Sequence, residues 1–197
     1  MPRLSSTLLC LLLSLPAFSQ EALSRQLSLA DLATSAGTIV RGQVIDSRVE
    51  PHPQYRNIST IRLTLRVADA IYGNTGPQIT YRMFLASGNF AAPRNTTKYR
   101  AGDELILFMY PESQYGLTSP VGGDQGRFQV LRTGGKAKVV NGLNNTGLFQ
   151  DLGQVAKAQS RTMTQAEAAL SRKQSGAVGL DEFVAVVRQL AANRGTK

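Results

Sequence analysis

The chain has 197 residues, with 22 lysines and arginines against 13 aspartates and glutamates, one histidine and one cysteine, for a formal charge of +9. A single cysteine excludes an intrachain disulfide framework and a cysteine-based zinc site, and a single histidine excludes a multi-histidine metal cluster. The length suits one core with appendages; the charge would attract anionic surfaces such as phospholipid headgroups, acidic polysaccharides or nucleic acid, but it reads first as ordinary surface solvation.

Met1-Pro-Arg3 is a short positive start, and Leu8 to Leu15 is an apolar run too short to span a bilayer as a helix. Ala17-Phe-Ser19 places small residues at the two positions a signal peptidase inspects. Residues 1–19 therefore read as a secretory signal peptide cut between Ser19 and Gln20, which predicts a secreted or periplasmic protein; the alternative is an N-terminal membrane anchor. Cleavage removes Arg3 and Cys10, so the expected mature chain has no cysteine and 21 cations against 13 anions, a formal +8. No transmembrane segment is expected after cleavage.

Residues 28–140 read as a β domain. Ser28-Leu-Ala-Asp31 has the spacing of a capping box and predicts a short helix from Leu29 to Ser35, ended by Gly37. Thr38 to Glu50 predicts a strand whose Val40, Gly42 and Val44 share one face while Ile39, Arg41, Gln43 and Ile45 share the other. Gly42 in mid-strand suits a bend or a close backbone approach. Pro51 to Asn57 is a proline-punctuated hairpin loop. It holds His52, which reads as a solvated loop residue.

Ser59 to Ile71 is the clearest strand. Ile61, Leu63, Leu65 and Val67 alternate with Thr60, Arg62, Thr64 and Arg66, the period of a strand with one buried face. The alternation breaks at Ala68-Asp69-Ala70, which predicts a bulge. Further strands are expected at Gln78–Leu85, Leu105–Tyr110 and Arg127–Leu131, with a short edge strand at Lys136–Val140. Ser87 to Arg100 is a long polar connection. Gly122-Gly-Asp-Gln-Gly126 precedes a strand and reads as a turn, since a phosphate cradle needs a glycine loop opening a helix.

Residues 141–163, rich in asparagine, glycine and glutamine, read as an irregular linker. A helical appendage is expected at 164–193. Thr164-Gln-Ala-Glu167 is a second capping box, and Leu180 to Ala192 is a helix with Phe183, Val186, Val187 and Leu190 on its apolar face.

The motifs Ile39-Val-Arg-Gly42, Leu65-Arg-Val67, Ile71-Tyr-Gly73, Gly102-Asp-Glu-Leu-Ile-Leu-Phe108 and Gln125-Gly-Arg-Phe128, in this order, resemble a family of uncharacterised secreted bacterial proteins. That family looks similar to the OB-type barrel of netrin-like and metalloproteinase-inhibitor domains. The resemblance implies an exported compartment and a mainly β fold: a small five-stranded, closed or partly closed OB-like barrel with a short N-terminal helix and C-terminal helices. An open sandwich is the alternative. The chain departs from the inhibitors where they act, because they use an N-terminal cysteine and the expected mature chain has none. An OB-like barrel by itself hosts many functions.

Chemistry-bearing patterns are sparse. Asp103-Glu104 and Asp181-Glu182 are adjacent carboxylates that read as turn and helix-capping residues. The pattern that points to a ligand is a set of arginines. With the aliphatics of the first three strands turned inward, Arg41, Arg62, Arg66 and Arg82 fall on the outer face. Arg62 and Arg66 lie about 13 Å apart by strand rise. Guanidinium forks bind carboxylate and phosphate, so the stripe suits an anionic glycan or lipid headgroups; the alternative is ordinary solvation of an outer face, with arginine stems covering apolar surface. No basic run is dense enough for nucleic acid, which is not expected as a partner. The sequence thus predicts a non-enzymatic exported binding module with no cofactor, whose partner is an anionic envelope polymer or another envelope protein. The alternatives are a carboxylate-dependent hydrolase near the Ser87–Arg100 loop, or an inhibitor or assembly partner acting through that loop or the last helix.

Overall fold

The computed structural model describes residues 25–85 and 98–195. The signal-peptide reading of residues 1–19, and the Ser87–Arg100 connection up to residue 97, lie outside the described residues. Strand β1 (Thr38–Pro51) and strand β2 (Ser59–Tyr72), which carries the expected alternation, form a long antiparallel hairpin. Strands β3 (Gln78–Phe84), β4 (Glu104–Met109), β5 (Arg127–Thr133), β6 (Lys136–Asn141) and β7 (Val178–Gly179) complete one sheet. Its order is β3-β2-β1-β4-β5-β6-β7, with every neighbour antiparallel.

This overturns the five-stranded closed or partly closed barrel. The sheet has seven strands and its outer members, β3 and β7, do not pair, so it is open. The features that suggested closure are present. The hairpin register shifts at three places, and a Cβ on Gly42 would lie 2.5 Å from the Arg66 carbonyl oxygen. These irregularities coil the hairpin. The sheet then continues through β6 to β7 instead of returning to β3, and helices cover one of its faces.

Each face has its own core. Ile39, Ile71, Ile106, Phe108, Phe128, Val130 and Val139 pack under the helices. Those helices are α1 (Leu29–Ser35), α2 (Leu152–Ala158), α3 (Gln165–Ser171) and α4 (Leu180–Ala192). Phe183 of α4 meets Phe128 and Phe108 at centroid distances of 4.8 and 6.3 Å. On the opposite face Val40, Val44, Ile61, Leu63, Leu65, Tyr81, Met83, Leu105 and Leu107 form a second core. Thr118 and Pro120 make isolated bridges to Met83 and Met109, so this segment runs beside β3 and β4. Tyr99 is buried in that second core, where burial pushes its phenol up to about 12 against the pull of Arg127, with Asp124 adding to the rise.

Both capping boxes form as expected, on Ser28/Asp31 and Thr164/Glu167. The stretch 141–163 differs from an irregular linker. Leu148, Phe149, Leu152 and Ala156 are buried, and Leu152 to Ala158 is helical. Two of its asparagines are internal partners. Asn145 is fully buried and its side-chain NH₂ donates to the Val139 and Gly176 carbonyls. Asn141 and Asn145 each accept from the other's backbone N–H, and Asn141 donates to the Gln125 carbonyl. Gln125 in turn accepts from Leu27 N–H and donates to the Arg25 carbonyl, tying the N-terminal segment down.

Two expectations follow. Leu152→Ala removes a fully buried side chain from the helix-covered core and should lower the unfolding free energy by about 2–5 kcal/mol in urea denaturation; a linker residue would show no change. Glu167 is also fully buried, with both carboxylate oxygens 2.7 Å from the Arg161 guanidinium. Burial pushes its carboxyl up, but bonds from Arg161 and the Thr164 N–H outweigh that and hold it below the ordinary carboxylate value. A depressed folded value contributes stability that is fully present above the unfolded carboxylate range, about pH 4.3. That contribution disappears as pH falls through the folded value. Thermal melts from pH 6 down to pH 3 should therefore fall less steeply for Glu167→Gln than for wild type, from a lower starting point.

Candidate anion-binding face

Register decides which side chains share the face away from the second core. Arg62 stands directly opposite Arg82 on β3 and Arg48 on β1. Arg66 stands opposite Gln43 and Gln78, and Arg41 lies two residues before Gln43 on the same strand. The four arginines expected on one face, Arg41, Arg62, Arg66 and Arg82, do share it. Arg48 joins them, as does Arg132 of β5, which reaches Glu104.

Arg48 was not legible as a member, and the reason is local. Val44 pairs with Leu65, whereas Asp46 pairs with Thr64, so Ile45 is an extra residue in β1. That bulge reverses the alternation. Without it Asp46, Arg48 and Glu50 would follow Val44 onto the core face. With it they face the arginines of β2 and β3.

The result is a laddered ion network instead of a bare cationic stripe. Like charges directly opposite each other on neighbouring strands are destabilising. Here two carboxylates are interleaved among three guanidiniums. Asp46 lies 3.3 Å from Arg48 and 3.1 Å from Arg62, and Glu50 lies 3.6, 3.4 and 2.8 Å from Arg48, Arg62 and Arg82. Further along, Glu104 takes a two-pronged contact from Arg132 at 2.8 and 3.0 Å, with Arg41 at 3.8 Å. Among the described residues this face thus sets six guanidiniums against Asp46, Glu50 and Glu104. The Nε donors of Arg41, Arg62 and Arg82 have no hydrogen-bond acceptor among the described residues. Asp69, opposite Arg41, is taken by Arg188 of α4 and marks where the helix layer ends.

Beneath the arginine stems, Thr60 and Thr64 are buried; Thr60 donates to the Glu50 carbonyl and Thr64 bonds Thr80 across the strands. Phe84, at the β3 edge, is 58% exposed. Arg48 is also open, with a side-chain exposure of 57% against about a quarter for Arg41, Arg62 and Arg82. The stems covering apolar and hydroxyl surface, with heads outward, are the usual habit of arginine on a sheet.

His52 departs from expectation. It is buried, not solvated. Its Nδ1 accepts from the backbone N–H groups of Gln54 and Tyr55 at 3.2 and 3.1 Å, so the ring proton sits on Nε2 and is donated to the Tyr115 carbonyl at 2.8 Å. Both nitrogens are consumed in joining the β1–β2 turn to the loop after β4, which leaves the ring a structural role.

Asp103 and Glu104 do not act as a pair: Asp103 accepts from the Arg100 N–H in its own turn, while Glu104 faces the arginines. Asp181 and Glu182 line a cavity at the start of α4 together with Arg41, Arg132, Lys136 and Lys138. Among the described residues no cluster of three or more His, Cys, Asp or Glu side chains is placed to hold a metal ion, and no helix is long and apolar enough to cross a membrane. Comparisons of the chain with protein-family models, with curated proteins and with solved structures return no match.

Glu50 touches all three arginines of the row. Glu50→Gln should therefore lower stability by about 0.5–1 kcal/mol at low salt, with the deficit shrinking as salt screens the opposed guanidiniums. Denaturation at 20 mM and 500 mM salt checks this. An equal deficit at both salts would show that packing, not charge, sets the role of Glu50.

Proposed function

We propose that this protein is a non-enzymatic, exported binding module that engages an anionic polymer of the bacterial envelope through the outer face of β1–β3 and the adjoining ends of β4 and β5. The observation that supports the reading is the charge imbalance on that face: six guanidiniums for three carboxylates, with Arg48, Arg62 and Arg82 in one cross-strand row. Neighbouring strands lie about 4.8 Å apart, so the row offers closely spaced cations along a line crossing the strands. A polymer with repeated negative groups matches that geometry better than a single small anion does.

The internal carboxylates set the strength of the interaction. They hold the guanidiniums in place, which lowers the ordering cost on binding. They also cancel half of the face's charge, so the attraction is that of a moderate cationic surface and is easily screened. The competing hydrolase reading rested on the Ser87–Arg100 loop, of which only residues 98–100 are described. Of these, Tyr99 packs in the core and Arg100 is exposed.

The mature protein should be retained on immobilised polygalacturonate at low salt and released as salt rises. Arg48→Gln combined with Arg66→Gln changes two exposed residues. The double variant should elute at clearly lower salt, with a melting temperature close to that of wild type. Elution of wild type and variant at the same salt would rule out this face.

A further inference from the structure

We propose that Tyr55 and Tyr115 form a sugar-ring subsite at the tip of the β1–β2 hairpin, and that the polymer is an acidic polysaccharide. This rests on the reading above and narrows it to one ligand class.

Two tyrosine rings, 40% and 48% exposed, stand together at this tip with their centroids 5.6 Å apart and their planes at 81°. They come from loops distant in sequence, and the contacts that bring them together are rigid. His52, buried beneath them, holds the Tyr55 N–H on one ring nitrogen and the Tyr115 carbonyl on the other. The Tyr55 ring also packs on the His52 ring at 5.1 Å. Each loop is closed on itself. His52 N–H donates to the Ile58 carbonyl and Ile58 N–H to the Tyr55 carbonyl. In the other loop Ser113 N–H donates to the Leu117 carbonyl and Gly116 N–H to the Ser113 carbonyl. Exposed aromatic rings held this way cost little ordering on binding.

The right-angled arrangement selects the ligand. A tyrosine face is electron-rich and attracts C–H groups that carry partial positive charge, as on the flat face of a sugar ring. The second ring, turned on edge, closes one side of that surface. Phenolic hydroxyls are at hand for the sugar's hydroxyl groups. Rings at 81° cannot both stack on consecutive parallel nucleobases. A bilayer surface would call for a contiguous apolar patch, whereas the residue next to Tyr55 is the exposed Arg56. His52 lies four residue steps beyond Arg48, about 13 Å along an extended strand, so one chain can reach both the tip and the arginine row. Guanidinium forks on that row match the carboxylate or phosphate groups of an acidic polysaccharide, and uronate-type sugars are its carboxylate-bearing case.

The test compares two polyanions, polygalacturonate and inorganic polyphosphate, which share repeated charge but differ in having sugar rings. Binding is measured at one fixed salt concentration for the mature protein, for Tyr55→Ala/Tyr115→Ala, and for Tyr55→Phe/Tyr115→Phe. The expected result is preference of the wild type for polygalacturonate and a loss of about tenfold in that affinity for the alanine pair. Polyphosphate binding should not change, and the phenylalanine pair should keep most of the polygalacturonate affinity. Far-ultraviolet circular dichroism of each variant separates lost folding from lost binding. Equal affinity of wild type for both polymers, or a folded alanine pair that binds polygalacturonate as wild type does, overturns the subsite and leaves the arginine face standing. Failure of wild type to bind either polymer overturns the arginine face itself.

Discussion

The extra residue at Ile45 is the constraint on which the candidate face depends. In a regular strand Asp46, Arg48 and Glu50 would continue the parity of Val44 and enter the second core. Three adjacent alternate positions bearing charge could not be buried there without partners, since the cost of removing ions from water is several kcal/mol each. The bulge turns them outward, where they meet Arg62 and Arg82. It also turns Ser47 and Val49 toward the side of Leu63 and Ile61, their partners on β2. Val44, the last regular residue, bonds instead to the turn before β4, with its N–H on the Asp103 carbonyl and its carbonyl on the Gly102 N–H. One irregularity therefore sets the polarity of the outer hairpin and anchors a neighbouring turn.

The same hairpin explains how a single sheet supports two cores. Bulges at Ala68 and Ile71 in β2 offset its register with β1, and Ile71 joins the helix-covered core while Leu63 and Leu65 face the other. Coiling of this kind increases twist and lets one strand serve two packed surfaces. The helices then bury one face from β4 to β6 together with Ile39 of β1 and Ile71 of β2, and their layer stops at the Arg188–Asp69 pair. Beyond that seam the sheet face is polar, and no helix among the described residues covers it.

Ion pairing on that polar face has a double consequence. Exposed pairs contribute little to stability individually. Networks with several shared partners hold side chains more effectively, and here three guanidiniums share two carboxylates. The arrangement keeps the arginines extended over Thr60 and Thr64 and leaves a net positive face. On the proposed reading, the tyrosine pair at the hairpin tip and the cationic row act together: the first supplies ring contacts that salt does not screen, and the second supplies attraction that salt does.

Local patterning in the sequence determined the elements. Alternation placed β1 to β6 within a residue or two, the Ser28/Asp31 and Thr164/Glu167 spacings marked two helix starts, and the apolar face of Leu180 to Ala192 marked α4. It also placed four arginines on one strand face, because period two follows from backbone geometry alone. What only the tertiary structure decided involved partners distant in the chain. The sheet is open because its outer strands β3 and β7 do not pair, and nothing in a two-residue strand announces that β7 extends it. The asparagine-rich segment was packed because its amides satisfy buried carbonyls on other elements, a use of polarity that composition cannot separate from solvation. His52 was buried for the same reason, its nitrogens engaged by two loops. The bulge at Ile45 changed which charges meet, since a register shift depends on both strands of a pair while an alternation pattern is read from one.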